Sequence, residues 1–583
     1  MPGARVFGRQ GDGGPGDVSP GTRVQERCRV GTAGLNIARS QIGASLDALH
    51  TAQELADMAV PGFADAVTVD LLESVLTGDA PIGPVSRLPM RRAAFRAQDG
   101  QFGAYPVGSA GAFPFPTPYT QALVDLRPPL VDSVRPTDRW PANDRVRAEF
   151  IARAGVHSLI VAPLTVYGLV LGLVSFYRKD TRSQPFDEED LSPATQLAAC
   201  TALCVDNARR FTRERTVNTA LQRSLLPHTP PEVTAVEPSH CYLPGRYGAH
   251  WFDVLTLSSC RVGMVIGYVP GKDLYASAAM GSLRTAVSAP ASMDLPPDEL
   301  LAHLDDAAQR LAREQDADPV ALHQARLPFS ASCLCLVYDP ITLWCAAASA
   351  GHDAPLLTSP EGVVSRLDVP VGPALGRGMP YEMSVTEVEV GSLLSLYSDG
   401  SANRHPAEAE DRLRRLRDAV ADVSAHPKDI CDEAAYKVLR SIPPDGAALL
   451  VARTRRLDPD RVAFWTFPAE PASVREARRA ARERLACWGL EDQAVVAELV
   501  VSELATNVIR HAQGPIRLRL ILDRVLTVEV SDDADTAPHL RHARLQDEGG
   551  RGLFLVASFA SRWSTRYGES GKTIWAEEEL AGL

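Results

Sequence analysis

Between Glu498 and His511 the chain reads ELVVSELATNVIRH, and apolar residues at Val496, Leu499, Val500, Leu504 and Val508 recur at helical spacing. The pattern predicts one amphipathic helix with a buried face. Glu503, Asn507 and His511 follow each other four residues apart in the row of Leu499, close to that face. A carboxylate and an amide held there cost free energy unless they are partnered. Taken alone, such a row reads as solvated helix surface. Downstream, Leu526 to Val530 alternates as a strand and runs into Asp532-Asp533. Gly549-Gly550-Arg551-Gly552-Leu553 then opens an apolar helical run, and Gly571-Lys572-Thr573 precedes Ile574 and Trp575. A glycine-rich turn at a helix N-terminus offers backbone N–H groups to an anion.

The same periodicities organise the rest of the chain. Ile37 to Val60 predicts a helix with Leu46, Leu49 and Leu55 among its apolar positions, and Phe63 to Leu72 a strand entering a helix. Ser158 to Tyr177 carries no charge and imitates a membrane span. Pro163, Tyr167-Gly168 and Gly172 interrupt it, so two strands joined near Tyr167-Gly168 fit better than one helix. Leu191 to Leu226 is helical with a cluster of arginines at 209, 210, 213 and 215. A strand is predicted at Val462 to Phe467, then a helix from Ala472 to Leu485 whose Arg475, Arg478, Arg479, Arg482 and Arg484 read as a solvated face.

Length changes the picture first: 583 residues, at roughly 150 per domain, imply three or four domains. Hydrophobic content of 45% and charged content of 23% are ordinary for a soluble chain. A net charge of −12 argues against a footprint for nucleic acid or for an anionic membrane. Ten cysteines without a Cys-x-x-Cys or Cys/His cluster point to a reducing cytoplasm and no structural zinc, with Cys333 and Cys335 packed on one strand face. The Gly-rich N-terminus has no apolar core, which predicts a flexible tail over 1–30 and not a signal peptide.

The helix, strand-Asp, Gly-rich turn and Gly-Lys-Thr, in that order, resemble the nucleotide site of the histidine-kinase-like ATPase superfamily, and among its members the anti-sigma-factor serine kinases. The resemblance implies an α/β sandwich over 461–581 that takes ATP and Mg²⁺. It implies that Asn507 holds the magnesium, that Glu503 polarises the attacking hydroxyl and that His511 positions. It places Asp532 on the adenine amino group, Gly549, Gly550, Arg551 and Gly552 around the phosphates, and Lys572 and Thr573 in the same site. The family's Asp-x-Gly is here Asp532-Asp533-Ala534, a departure at the adenine end.

Two further resemblances complete the chain. HSLIVAPL, GLVLGLVSFYR and PFDEEDL, in that order, resemble a GAF sensor domain, here 31–208, which implies a small-molecule ligand or simple dimerisation. His157, a lone histidine before a strand, is expected to be a satisfied structural residue. A helical connector, 209–228, ends in LQRSLLP, where a third resemblance begins. His250-Trp251-Phe252-Asp253, Val265-Ile266-Gly267, Phe329 to Leu336, SAGHDAPLL, Leu396 to Gly400 and Asp445 to Arg453 resemble the stage II sporulation protein E type of metal-dependent phosphatase. The implied fold over 229–455 is the type 2C β-sandwich flanked by helices, making the whole a multidomain α/β and α+β chain. In that family two divalent ions bridged by aspartates activate a water to attack phosphoserine. Here the first metal Asp of the motif is His250 and the second is Tyr268, a phenol and poor ligand for a hard ion. Asp399 and Asp445 keep the other metal positions, with Asp253 beside them, and Lys272 adds positive charge nearby. Losing two bridging carboxylates is expected to abolish or greatly weaken two-metal catalysis, unless His250 takes Mn²⁺ or Zn²⁺ with Asp253 or Asp273 in support.

The resulting expectation is a cytoplasmic bacterial regulator of the partner-switching kind, with an intact serine-kinase site and an impaired phosphatase site. The partners so implied are a small STAS-type anti-sigma antagonist or a sigma factor, with a homodimer through the GAF unit and the Leu191–Leu226 helix. Two other classes stay open at this point: an active bifunctional phosphatase–kinase, and a non-catalytic ATP-gated scaffold.

Overall fold

The computed structural model of the chain describes residues 42–85, 88–98, 105–111, 113, 116–135, 138–142, 144–179, 184–245, 247–317, 329–378, 380–400, 406–438, 445–511, 514–534, 552–568 and 571–580. The predicted tail and Gly549, Gly550 and Arg551 lie outside the described residues. The chain divides into two compact units, 1–217 and 218–583.

The first unit is built on an antiparallel sheet of β1 (Ala66–Leu72), β2 (Met90–Ala97), β3 (Ala110–Gly111), β4 (Leu130–Val131), β5 (Val156–Val166) and β6 (Leu169–Lys179), in the order β3-β2-β1-β6-β5-β4. The uncharged run at 158–177 is the β5–β6 hairpin, as its interruptions predict. Tyr167 and Gly168 both adopt positive φ, 48° and 80°, the turn that matches the twist of paired strands. Both strands are buried along nearly their whole length, which is why polar alternation is absent from them. The helix predicted from Ile37 begins at Ala48 instead. Asp47 accepts from the backbone N–H of Leu49 and His50, at 2.8 and 3.0 Å, and so caps it. Leu46 and Leu49 are consequently exposed, and Leu55 is the apolar residue that reaches the core. The long helix runs over Leu191–Leu225, and among the described residues no helix is long and apolar enough to cross a membrane.

The second unit opens with a two-sheet sandwich: β7 (Val236–Pro244), β8 (Tyr247–Thr256), β9 (Val262–Lys272), β10 (Ser332–Tyr338), β11 (Trp344–Ala350), β12 (Leu356–Thr358), β13 (Val364–Arg366), β14 (Val371–Gly372), β15 (Met383–Glu387), β16 (Leu393–Ser398) and β17 (Gly446–Thr454). One sheet runs β14-β11-β10-β9-β8 with β15 on β11, the other β13-β12-β16-β17-β7. Phe252, Met264, Ile266, Leu334, Leu396 and Leu450 fill the space between them. Cys333 and Cys335 are buried with free thiols in β10. Helices Asp273–Ser292 and Pro297–Ala317 pack against the first sheet, and Pro406–Val420 with Pro427–Val438 against the second.

The C-terminal layer of this unit is an antiparallel sheet of β18 (Val462–Phe467), β19 (Ile516–Leu522), β20 (Val525–Asp532), β21 (Arg562–Gly568) and β22 (Gly571–Glu579), ordered β18-β19-β20-β22-β21. Leu518, Val528, Val530, Ile574 and Ala576 form one face and pack against Val500, Leu504 and Val508 of the Ala494–His511 helix. The Pro471–Cys487 helix lies beside it. Two of its arginines are not merely solvated: Arg478 and Arg482 both pair with Glu498 of the next helix.

The opposite face of that sheet is charged and yet dry. Arg519, Glu529 and Arg566 are placed there by strict alternation along β19, β20 and β21. Arg566 reaches Glu529 at 2.9 Å and, across to the sandwich, Asp294 at 3.1 Å. Arg519 pairs with Glu529, Arg261 with Asp294, and Ser259 donates to Glu529. Ser259 and Cys260 hold positive φ in the tight β8–β9 turn, a conformation that persists only where surrounding contacts over-determine it. Burial alone would push the Glu529 carboxyl up, but Arg519 and Arg566 beside it hold it at about 2.

Candidate functional site

The polar row of the Ala494–His511 helix sits where its periodicity places it: Glu503 and Asn507 are half-buried and His511 is exposed at the helix end. Glu503 faces the start of the Gly552–Phe559 helix. A Cβ added at Gly552 would lie 2.4 Å from the Glu503 Oε2, so glycine there is what lets the carboxylate approach that helix N-terminus. Because the obstacle is the far end of a flexible side chain, Gly552→Ala is expected to leave folding stability nearly unchanged. It would displace Glu503 and lower the turnover of any reaction that uses the carboxylate. Equal denaturation midpoints with reduced phosphotransfer would bear this out.

The residues that the resemblance assigned to the adenine end lie at the end of β20 and the start of β22. Asp532 and Lys572 are direct cross-strand neighbours on the helix-facing side of the sheet, both buried, with Nζ 3.3 Å from Oδ1. The second turn residue, Ala534, donates its N–H to Asp532 Oδ1 at 2.8 Å. This bond closes an Asp-turn on Asp532. Thr573 is the exception. Alternate residues of a strand point to opposite faces, and its hydroxyl bonds Ser531 Oγ at 2.7 Å on the side turned toward the sandwich. Its expected place at the nucleotide is therefore corrected. Asn507 lies one turn beyond Glu503 along the same helix.

In the sandwich, His250 and Tyr268 are direct cross-strand neighbours on β8 and β9. At the two positions that would carry bridging carboxylates, two rings stack instead, with centroids 4.6 Å apart. Burial pushes the His250 imidazole down to about 4, so it is neutral at pH 7. Its Nε2 lies 2.9 Å from the Asp445 carbonyl oxygen and therefore donates; its Nδ1, 2.8 Å from Ser398 Oγ, then accepts. No lone pair of the ring is left for a metal. Asp399 accepts from Arg412 Nε at 2.9 Å. Asp253, three residues beyond His250 on β8, takes the opposite face and accepts from Arg284 Nε at 2.9 Å, so its expected place in the remnant metal site is corrected. Asp445 lies against Gly400, whose missing side chain makes room for it. Among the described residues no three His, Cys, Asp or Glu side chains come together as a metal site. The donor set does not fit a pair of hard divalent ions. The side chains of Lys272 and Asp273 lie outside the described residues.

Two constellations escaped the sequence. The long helix ends on the sandwich beside the altered site. Gln222 donates to the Gly248 carbonyl at 3.2 Å and to Ser277 Oγ at 3.1 Å, and accepts from Tyr242 at 2.8 Å. Arg284, which holds Asp253, also donates to the Leu225 carbonyl at 2.7 Å. The second is the Arg519–Glu529–Arg566 face. Its signal was the period-two charge in IRLRLIL, which marks a strand face without saying what covers it. In the first unit, His157 has neither ring nitrogen hydrogen-bonded among the described residues, so it is buried without the partners expected of it.

Comparison with known proteins matches the three regions separately. The GAF domain family covers residues 68–205, the stage II sporulation protein E (SpoIIE) family residues 258–455, and the histidine kinase-like ATPase domain family residues 467–577. Among solved structures, the chain is similar to the RsbU and RsbW domains of Rv1364c from Mycobacterium tuberculosis, with 24% identity, 60% of this chain and 96% of that one covered, and a TM-score of 0.34. The phosphatase domain of SpoIIE from Bacillus subtilis with a fragment of its regulatory domain matches at 12% identity, 38% and 64% coverage and a TM-score of 0.30. The SiaA-PP2C domain of Pseudomonas aeruginosa matches at 17%, 41% and 95%, and 0.30.

Proposed function

We propose that this chain, which joins a GAF domain, a SpoIIE phosphatase-type domain and a histidine kinase-like ATPase domain, is a partner-switching regulator that phosphorylates and no longer dephosphorylates. The C-terminal layer transfers phosphate to a serine of a small STAS-type antagonist of an anti-sigma factor. ATP, bound with Mg²⁺, supplies the phosphoryl group. Glu503 draws the proton from the serine hydroxyl as its oxygen bonds phosphorus, and ADP leaves. Asn507 holds the magnesium, and Asp532 reads the base. The GAF domain receives the signal, either as a small ligand or through a homodimer, and the Leu191–Leu225 helix carries it.

The observation that carries this reading is the stacked His250–Tyr268 pair on β8 and β9. With both imidazole nitrogens bonded within the protein, the SpoIIE-type domain has the fold of a metal-dependent phosphatase without its ligand set. Hydrolysis of a generic phosphate monoester in Mn²⁺ or Mg²⁺ is expected to be no faster for the natural chain than for Asp399→Ala. Metal-dependent turnover that disappears in Asp399→Ala would sink the reading and make the chain bifunctional.

A further inference from the structure

Between the sandwich and the C-terminal layer lies a cavity of about 580 Å³. One wall is the outer face of the first sandwich sheet. Ala346 of β11 pairs with Val337 of β10 and Val385 of β15, and Trp344 and Met383 stand two residues away on the same face. Further along that face Cys335 and Ala348 are buried, whereas Trp344, Met383 and Val385 are 56%, 39% and 50% exposed. Adjacent large apolar side chains left open inside a recess with a polar rim are the usual mark of a binding groove. The facing wall is the sandwich side of the C-terminal sheet, with Ser531 and Thr573. Their hydroxyls share one hydrogen bond of 2.7 Å, which uses one of the two protons and leaves the other for a ligand. The charged lining is already matched. Asp294 takes Arg261 and Arg566, Asp533 takes Arg517, and Asp532 takes Lys572. Asp339 accepts from the backbone N–H groups of Ile341 and Thr342.

We infer that this cleft binds a neutral, planar heteroaromatic small molecule, at a site separate from the nucleotide site on the opposite face of the same strands. A charged ligand would have to break one of the ion pairs, so the matched lining selects a neutral one. The Trp344 indole offers a π-face, and the Met383 thioether and Val385 extend it into an apolar bed, on which a flat ring gains more contact than a puckered one. A carbonyl oxygen or ring nitrogen at the edge of that ring accepts the proton left over by Ser531 and Thr573. The volume lies within the range of about 300–1,000 Å³ usual for small-molecule pockets, which concentrate where domains meet. Ser531 and Thr573 adjoin Asp532 and Lys572 in β20 and β22, so the occupant rests on the strand ends that carry the candidate nucleotide groups. Neither the sandwich nor the C-terminal layer supplies both walls alone, so the site belongs to the joined chain.

The test is isothermal titration of the full chain at neutral pH with caffeine, a neutral planar ring system that carries only hydrogen-bond acceptors. Two control compounds accompany it: dimethylpropyleneurea, neutral but puckered, and urate, planar but anionic. One saturable site for caffeine is expected, in the millimolar range or tighter, with at least about tenfold weaker binding of either control. Trp344→Leu, at an exposed position, removes the π-face and is expected to weaken caffeine at least about tenfold. Thr573→Val keeps the shape of the side chain but loses the hydroxyl. It is expected to weaken caffeine about threefold or more, and it guards against misfolding of the first variant. Saturating ADP with Mg²⁺ is expected not to displace caffeine. Weaker binding in both variants, with caffeine retained in ADP, would support the inference. Absence of saturable binding, equal binding of either control compound, or unchanged binding in either variant would overturn it. Displacement by ADP would place caffeine in the nucleotide site and overturn it as well.

Discussion

Arg566→Ala is expected to destabilise the second unit by about 3–5 kcal/mol, the usual cost of removing one partner from a buried ion pair. Arg566 neutralises two carboxylates at once, Asp294 of the sandwich and Glu529 of the C-terminal sheet. Without it, among the described residues Arg261 is the one cation left on Asp294 and Arg519 the one left on Glu529. Glu529 is 2% exposed, so water cannot replace the lost cation. The same cluster sets an acid limb. Glu529 titrates at about 2 in the folded chain and near 4.3 when unfolded. A depressed carboxyl contributes stability that is complete above its unfolded value and is lost as pH falls toward its folded one. About 3 kcal/mol should therefore disappear between roughly pH 4.3 and 2. Urea midpoints measured across that range are expected to fall steeply for the natural chain and less steeply for Arg566→Ala. A variant as stable as the parent at pH 7 would show that the cluster is replaceable.

Glu503→Gln is expected to reduce phosphotransfer to a serine acceptor by about 10²–10⁴-fold, the range typical of a lost general base. The amide keeps the shape of the side chain against Gly552, so nucleotide affinity should hold while turnover falls. Asn507→Ala is expected to do the opposite and lose Mg²⁺-dependent nucleotide binding itself. Fluorescent-nucleotide titration beside radiolabel transfer separates the two effects. Full transfer by Glu503→Gln would remove Glu503 from the chemistry.

How far the sequence could be read depended on which interaction each pattern reports. The Ser158–Tyr177 run resolved into a hairpin because Tyr167-Gly168 is local turn chemistry, written in two adjacent residues. The row Glu503, Asn507 and His511 was legible because one helix displays it. Asp399 with Asp445, and Asp532 with Lys572, required resemblance, since strands far apart in the chain bring them together. The helix start at Ala48 was missed because apolar spacing at Leu46 and Leu49 outweighed the cap at Asp47. Thr573 was misplaced because a motif names residues while the pleat decides which face each one takes. The substitutions at 250 and 268 were visible as letters. That the two rings stack, and that both His250 nitrogens are bonded, depends on cross-strand register.

The charged underside of the C-terminal sheet bears on how such a chain can be inherited. Signalling proteins are commonly pictured as beads that recombination reshuffles at linkers. Residues 455–461 look like such a linker, short and charged, yet a crossover there would separate Ser259 and Asp294 from Glu529 and Arg566. A descendant that received one side alone would carry uncompensated charge on a surface meant to be covered. These two domains are therefore expected to travel through lineages as a pair, their interface residues changing together or not at all.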